Sequence, residues 1–125
     1  MVDSAELCRL FGCVRTDTGV SVHRLAQKRI FEMGRQLGYD SIAEYFMPSL
    51  VIGGRTSYVD VVWLSQGRIA VAFEIRAKSR ELDIVTTRKD TAKLQLLNPL
   101  EKFIVNVSRI SGKAYFRKLT DASLE

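Results

Sequence analysis

The sequence is poor in the residues that build disulfides and zinc clips, with two cysteines and one histidine among 125 residues. Cys8 and Cys13 have only His23 to join them, so no second pair of ligands exists for a structural zinc ion. A single histidine also argues against chemistry that needs a histidine base beside a serine or cysteine nucleophile. We therefore expect carboxylates, lysines and arginines to do the chemistry, and both cysteines to be buried free thiols.

Long hydrophobic runs are also missing. No stretch approaches the ~18 to 20 consecutive apolar residues of a membrane helix, so we expect no membrane association. Residues 1–6 are acidic and polar, without the basic and then apolar regions of a secretory signal, which predicts a cytoplasmic protein. With 46% hydrophobic residues, the chain is expected to form a single domain over residues 1–125 with its own core.

The charge is moderately basic. Nineteen lysines and arginines stand against 14 acids, which gives a net charge of +5 and favours an acidic partner such as nucleic acid. Cations outnumber acids most clearly between residues 76 and 93. A solvated face is the ordinary explanation of such a cluster, and a track for a nucleic-acid backbone is the alternative. The cluster comprises Arg76, Lys78, Arg80, Arg88, Lys89 and Lys93.

Hydrophobic periodicity predicts alternating helices and strands. Ser21 can cap a helix with apolar positions every three to four residues. Two β-rich runs separated by Ser65-Gln66-Gly67 predict a hairpin. An apolar run ended by Pro48 fits either an earlier strand, which we favour, or one helical turn. The expected class is α/β with a mixed sheet. After a short amphipathic start at residues 5–11, the predicted helices cover 22–37 and 87–97, the second opened by a capping box at 87–90, and the predicted strands cover 42–47, 58–64, 68–77, 102–107 and 114–119.

Two acids lie inside the hydrophobic runs of the predicted hairpin. Asp60 is in the first strand and Glu74 in the second, where an ionised carboxylate needs a cation, a metal or several donors. A three-residue loop at 65–67 would place Asp60 opposite Ala72, making Asp60 and Glu74 diagonal neighbours on one face. Their Cα atoms would then be roughly 7 to 8 Å apart, a span that one divalent cation can bridge.

The same register divides the second strand into an apolar and a polar face. Residues 69, 71, 73 and 75 are all apolar and predict the core side, whereas the opposite side predicts a polar pocket. Arg76 and Lys78 continue the face of Glu74. Two hard-oxygen ligands with cations beside them are what metal-assisted phosphodiester hydrolysis requires.

An aspartate on one strand followed by Glu74-Ile75-Arg76 on the next resembles the PD-(D/E)XK nuclease superfamily, which has the restriction-endonuclease-like fold. The resemblance covers roughly residues 22–107 and implies an αβββαβ core, a mixed central sheet flanked by helices. It also implies Mg²⁺ or Mn²⁺ as cofactor, DNA as substrate, and Glu32 of the leading helix as a further metal ligand, with Glu44 a weaker candidate. Arg76 stands where the family pattern has lysine and cannot act as a base.

The candidate site residues follow from these patterns. The expected catalytic residues are Asp60, Glu74, Arg76 and Lys78; the expected metal ligands are Asp60, Glu74 and Glu32; and the expected nucleic-acid contacts are Arg55, Arg80, Arg88, Lys89 and Lys93.

Two alternatives to these assignments remain. The protein could be a degenerate module that binds nucleic acid, or a protein partner, without cleaving. The two acids could instead pair internally with Arg76 or Arg55.

Tyr58 is expected in the core, and His23 is expected to be a solvated or capping residue. A homodimer or a partner subunit would enlarge the DNA footprint.

Overall fold

Helices pack on both faces of a five-stranded sheet in this structure, a computed structural model that describes residues 2–52, 55–78 and 92–120. The strand order is that of the chain; the third and fourth strands are parallel and the other neighbours antiparallel. The predicted α/β class with a mixed sheet is confirmed. The elements are α1 (Ser4–Phe11), α2 (Val22–Gln36), β1 (Asp40–Ile52), β2 (Arg55–Ser65), β3 (Arg68–Lys78), β4 (Glu101–Ser108) and β5 (Ala114–Lys118).

The helices follow their sequence signals where the structure describes them. The Oγ of Ser21 accepts the main-chain N–H of Arg24 at 3.1 Å, as the predicted N-cap requires. Residues 92–97 are helical and lie in the connection between the parallel strands β3 and β4. The capping box at 87–90 lies outside the described residues. Within the described ranges, no helix is both long and apolar enough to cross a membrane.

Apolar residues are buried on both faces of the sheet. The first core cluster includes Trp63, Phe73 and Phe103 and packs against α1 and α2. The second cluster, on the other face, includes Ala72 and Ile104 together with Leu94 and Leu97. The expectation of a polar pocket across that face is therefore wrong, because residues 92–97 cover much of it with apolar side chains.

Two further expectations are corrected. Cys8 is half-buried, but Cys13 is exposed, because it lies just past the end of α1. Pro48 does not end the first strand, since β1 continues to Ile52 with a shift of register after Met47. A proline is tolerated there because β1 is an edge strand, where one side of the backbone needs no ladder partner.

The hairpin between β2 and β3 differs from the predicted three-residue loop. Ser65 pairs with Arg68, leaving a two-residue turn in which Gln66 and Gly67 have φ of 52° and 75°. Positive φ at both central positions is the mark of a type I′ turn, whose twist suits the flanking strands. A bulge follows directly, because the residue after Ile69 on β3 has no partner on β2.

Candidate functional site

The unpaired residue Ala70 determines which residue of β3 lies across from Asp60. The tight turn alone would place Asp60 opposite Phe73 and on the face away from Glu74. With the bulge, Val61 pairs with Phe73. Continued beyond Val61, the last paired residue, this register would place Asp60 level with Glu74, because the bulge restores the parity that a three-residue loop would have provided.

Regular pairing of β2 and β3 stops at Asp60. The last paired position is Val61, and beyond it the Oδ2 of Asp60 accepts the main-chain N–H of Ile75 at 2.7 Å. Val59 packs into the second cluster although Val61, two residues away, packs into the first. Since alternate residues of a regular strand share a face, β2 departs from regular geometry at Asp60.

Helix α2 contacts Asp60 through two side chains one turn apart. The Nε2 of His23 lies 3.4 Å from Oδ1 of Asp60, and the Nε2 of Gln27 donates to the Asp60 carbonyl oxygen at 2.9 Å. Both carboxylate oxygens and the main chain of Asp60 are therefore engaged. The expectation that His23 is merely solvated or capping is wrong; its spacing of four residues from Gln27 was the one sequence signal of a shared helix face.

Glu74 is buried and contacts a lysine from the helical residues 92–97. Only 3% of Glu74 is exposed, and the Nζ of Lys93 lies 2.6 Å from its Oε1. The same Nζ donates to the carbonyl oxygen of Tyr58 at 3.0 Å. Within the described part of the chain, this buried Oε1 accepts no well-directed hydrogen bond, so the lysine contact is chiefly an ion pair. Lys93, expected in a nucleic-acid track, thus lies against the acid itself.

The carboxyl groups of Asp60 and Glu74, the acidic pair, perturb each other's pKa. Burial raises the pKa of Glu74 well above its ordinary value, the neighbouring Asp60 raises it further, and Lys93 opposes both. Burial alone would raise the pKa of Asp60, but hydrogen bonds from His23, Glu74 and the Ile75 N–H lower it. The pKa values of the two carboxyls are therefore driven apart, that of Glu74 upward and that of Asp60 downward, as is typical of neighbouring acids.

The other predicted site residues on the sheet are placed as follows. Arg76 is buried, 5% exposed, and is level with Asn106 of β4. Arg55 and Lys78 occupy the first position of β2 and the last of β3. Glu44 lies on β1 between the partners of Val59 and Val61, beside Asp60, with a φ of 53°, and its charge helps to raise the pKa of His23. Arg80, Arg88 and Lys89 lie outside the described residues.

Glu32 is not brought to the acidic pair. It lines a shallow groove with Val14, Leu25 and Lys28. Since an α-helix has 3.6 residues per turn, Glu32 is about two and a half turns beyond His23 and points to the opposite side of α2. Its carboxylate therefore faces away from Asp60.

The site contains two carboxylates that could bind a cation. Within residues 2–52, 55–78 and 92–120, no group of three or more histidine, cysteine, aspartate or glutamate side chains is arranged to hold a metal ion. Mg²⁺ is usually held by one or two carboxylates, with water and substrate phosphate completing the shell. The acidic pair and the buried Oε1 of Glu74 fit that requirement.

Neither models of known protein families nor curated proteins match this chain. The chemistry available to the protein is therefore judged from the acidic pair and the residues around it.

Proposed function

We propose that the protein is a metal-dependent nuclease with a restriction-endonuclease-like core, which uses Mg²⁺ or Mn²⁺ to hydrolyse phosphodiester bonds of DNA. The observation that carries the proposal is that Asp60 of β2 reaches the main chain of Ile75, next to Glu74 on the antiparallel strand β3, and that Glu74 lies against the ammonium group of Lys93. The element order supports it, since a helix, three strands, a helical segment and a parallel strand follow one another. The net charge of +5 favours a polyanionic substrate.

Asp60 and Glu74 would hold the divalent cation through hard carboxylate oxygens. When bound, such an ion neutralises charge on the phosphate and lowers the pKa of water, which is the chemistry that hydrolysis at neutral pH requires. Binding would favour the ionised form of both carboxyls and oppose the raised pKa of Glu74, because both would then face a positive charge.

Lys93 is the cation best placed to act on the phosphate. Its side chain is 18% exposed, and its Nζ lies between Oε1 of Glu74 and the carbonyl oxygen of Tyr58. Either cation could donate to a phosphate oxygen, but Arg76 cannot exchange a proton near neutral pH, whereas a lysine can shift its pKa and do so. His23 and Gln27 act as positioning residues, since they contact Asp60 at its carboxylate and at its carbonyl oxygen.

A second candidate function is nucleic-acid binding without cleavage. It is favoured by the way the acids are already satisfied within the protein: Lys93 contacts Glu74, while His23 and the Ile75 N–H contact Asp60. Structural ion-pair networks show the same pattern. In that case the acidic pair would hold the sheet and helices together, and nucleic acid would bind with no metal requirement.

Cleavage assays with matched variants test the proposal. Plasmid and single-stranded DNA are incubated with the protein in Mg²⁺, Mn²⁺ or EDTA, using Asp60→Asn, Glu74→Gln and Lys93→Met. Glu101→Gln is the matched control, because Glu101 is also largely buried and contacts Lys118 at 3.2 Å. We expect metal-dependent cleavage that falls by about 10² or more in the three site variants and persists in the control.

Metal titration by calorimetry separates the two candidates. The nuclease proposal predicts a binding site for Mn²⁺ that is lost in Asp60→Asn and Glu74→Gln but retained in Lys93→Met, since Lys93 is not a ligand. Cleavage that survives both acid substitutions would overturn the site assignment. DNA binding that is unaffected by EDTA, with no cleavage under any condition, would establish the second candidate instead.

A further inference from the structure

Two aromatic rings lie exposed beside the acidic pair. Phe46 of β1 and Tyr58 of β2 are register partners, with ring centroids 5.3 Å apart and ring planes tilted by 47°. They are 46% and 49% exposed. In every other ring contact among the described residues, at least one ring is buried. The expectation that Tyr58 belongs to the core is therefore wrong.

The side of the sheet on which these rings lie follows from their neighbours. Tyr45, Met47 and Val59 pack into the second cluster, on the face covered by residues 92–97. Because successive residues of a strand point to opposite faces, Phe46 and Tyr58 project to the face on which α2 lies.

Helix α2 leaves both rings uncovered because of where it begins. Its first turn contacts Asp60 through His23, and further along it the carbonyl oxygen of Ile30 accepts the indole N–H of Trp63 at 3.1 Å. The helix thus runs along β2 from Asp60 towards Trp63, away from Tyr58. The aromatic pair lies beyond the N-terminal end of α2.

The aromatic pair is linked directly to the site. Tyr58 precedes Asp60 by two residues, which is about 7 Å along a strand. The carbonyl oxygen of Tyr58 accepts from Lys93, whose Nζ also contacts Glu74. Since His23 of α2 contacts Asp60, a phosphate that reaches Asp60 from the face of α2 would bring a neighbouring base within reach of these rings.

The first turn of α2 adds positive charge to the same place. It contains no acidic residue, but it does contain His23 and the exposed Arg24. Cations at a helix N-terminus oppose the helix dipole and weaken the helix. Residues that weaken the helix they belong to are typical of a functional surface. Here the positive charge would complement a phosphate chain that runs past the aromatic pair.

We propose that Phe46 and Tyr58 form a stacking platform for an unpaired nucleobase, so that the substrate carries single-stranded nucleotides next to the acidic pair. This inference rests on the proposed function and names its substrate class. An unpaired base has a free face to stack on an aromatic ring whatever its sequence, whereas the faces of bases within a duplex are already stacked on one another.

Binding measurements in EDTA isolate the stacking contribution. Fluorescence anisotropy is used with an oligothymidylate of about 12 nucleotides and with an abasic phosphodiester chain of the same length and charge. We expect wild-type protein to prefer the oligothymidylate, and Tyr58→Ala or Phe46→Ala to weaken that affinity by about tenfold while leaving the abasic chain unaffected. Tyr58→Phe should retain the preference, because it retains the ring. Tyr115→Ala, which removes a 68% exposed tyrosine of β5, is the control.

The outcomes separate this proposal from the nuclease proposal. Base-dependent binding that Tyr58→Ala removes, without cleavage in Mg²⁺, would leave the platform standing and remove the nuclease. Metal-dependent cleavage with oligothymidylate binding unchanged in both alanine variants would do the reverse. Equal losses of affinity for the oligothymidylate and the abasic chain would overturn stacking.

Light scattering tests whether the aromatic pair is instead a contact between copies of this chain. A dimer that both substitutions dissociate, with nucleic-acid affinity unchanged, would show such a contact and would also overturn the platform.

Discussion

The side chain of Asp60 takes the place of a strand partner for Ile75. Its Oδ2 accepts a hydrogen bond from the main-chain N–H of Ile75 at 2.7 Å. The acid therefore ends the β2–β3 ladder at the same point where it meets Glu74. This dual role predicts that Asp60→Ala destabilises the protein more than Asp60→Asn, because only the asparagine retains an acceptor for the Ile75 N–H. A buried donor without a partner costs about 1–3 kcal/mol. Urea unfolding in EDTA measures the difference, and equal stabilities of the two variants would contradict it.

The contact of His23 with Asp60 predicts a pH-dependent contribution to stability. The hydrogen bond with Asp60 raises the pKa of His23 above its ordinary 6.5, although burial opposes the shift. A raised pKa in the folded state means that the stabilisation is complete below 6.5 and is lost as the pH rises through the folded value. Asp60 has a lowered pKa, so its own contribution is present above 3.8 and is lost as the pH falls through its folded value.

His23→Gln should therefore lower the melting temperature at about pH 6 and have less effect at about pH 9, where the wild-type imidazole is neutral. Thermal unfolding in EDTA across this range measures the effect. Asp17→Asn is the control, because Asp17 also pairs with a cation, Arg15, but both side chains are more than two-thirds exposed and such pairs contribute little. A loss in His23→Gln that is the same at both pH values would show that the imidazole acts by packing alone.

The raised pKa of Glu74 predicts a further loss of stability as the pH rises, with the same sign as that of His23 and the opposite sign to that of Asp60. Burial and the neighbouring Asp60 raise its pKa well above the ordinary 4.5, so above that pH the unfolded chain loses a proton that the folded protein keeps. The stability of the metal-free protein therefore falls as the pH rises from 4.5 towards the folded value. Glu74→Gln keeps a neutral side chain of the same shape, and we expect its melting temperature in EDTA to change less over this range. A slope equal to that of the wild type would contradict the assignment.

The bulge at Ala70 predicts an unusually damaging deletion. Removing Ala70 would make the tight turn at Gln66 and Gly67 impose a register in which the following residues of β3 change faces. Glu74 would then leave Asp60, and the side chains from Val71 onwards would leave their core clusters. We expect loss of cooperative unfolding by circular dichroism. Deletion of Thr16, in an exposed loop, is the matched control and should leave a folded protein.

Local signals in the sequence predicted most of the fold. Ser21 and the apolar positions that follow it were sufficient for α2, since capping and a helical stripe depend only on neighbours in the chain. The hairpin strands and the unusual acids at positions 60 and 74 were also visible, because a charge inside an apolar run stands out in composition alone. The register was not visible in the same way, since one unpaired alanine at position 70 leaves no mark in the pattern.

What surrounds the acids was decided by long-range packing. Lys93 lies 19 residues beyond Glu74 in the chain and reaches it only because the connection between parallel strands returns across the sheet. His23 reaches Asp60 only because α2 packs along β2, and Tyr58 is exposed because that helix begins too late to cover it. Sequence periodicity assigns a residue to a helix or a strand and to one of its faces. Which distant side chain meets that face depends on how the elements pack, and it is this packing that brought together the acids, their cations and the aromatic pair.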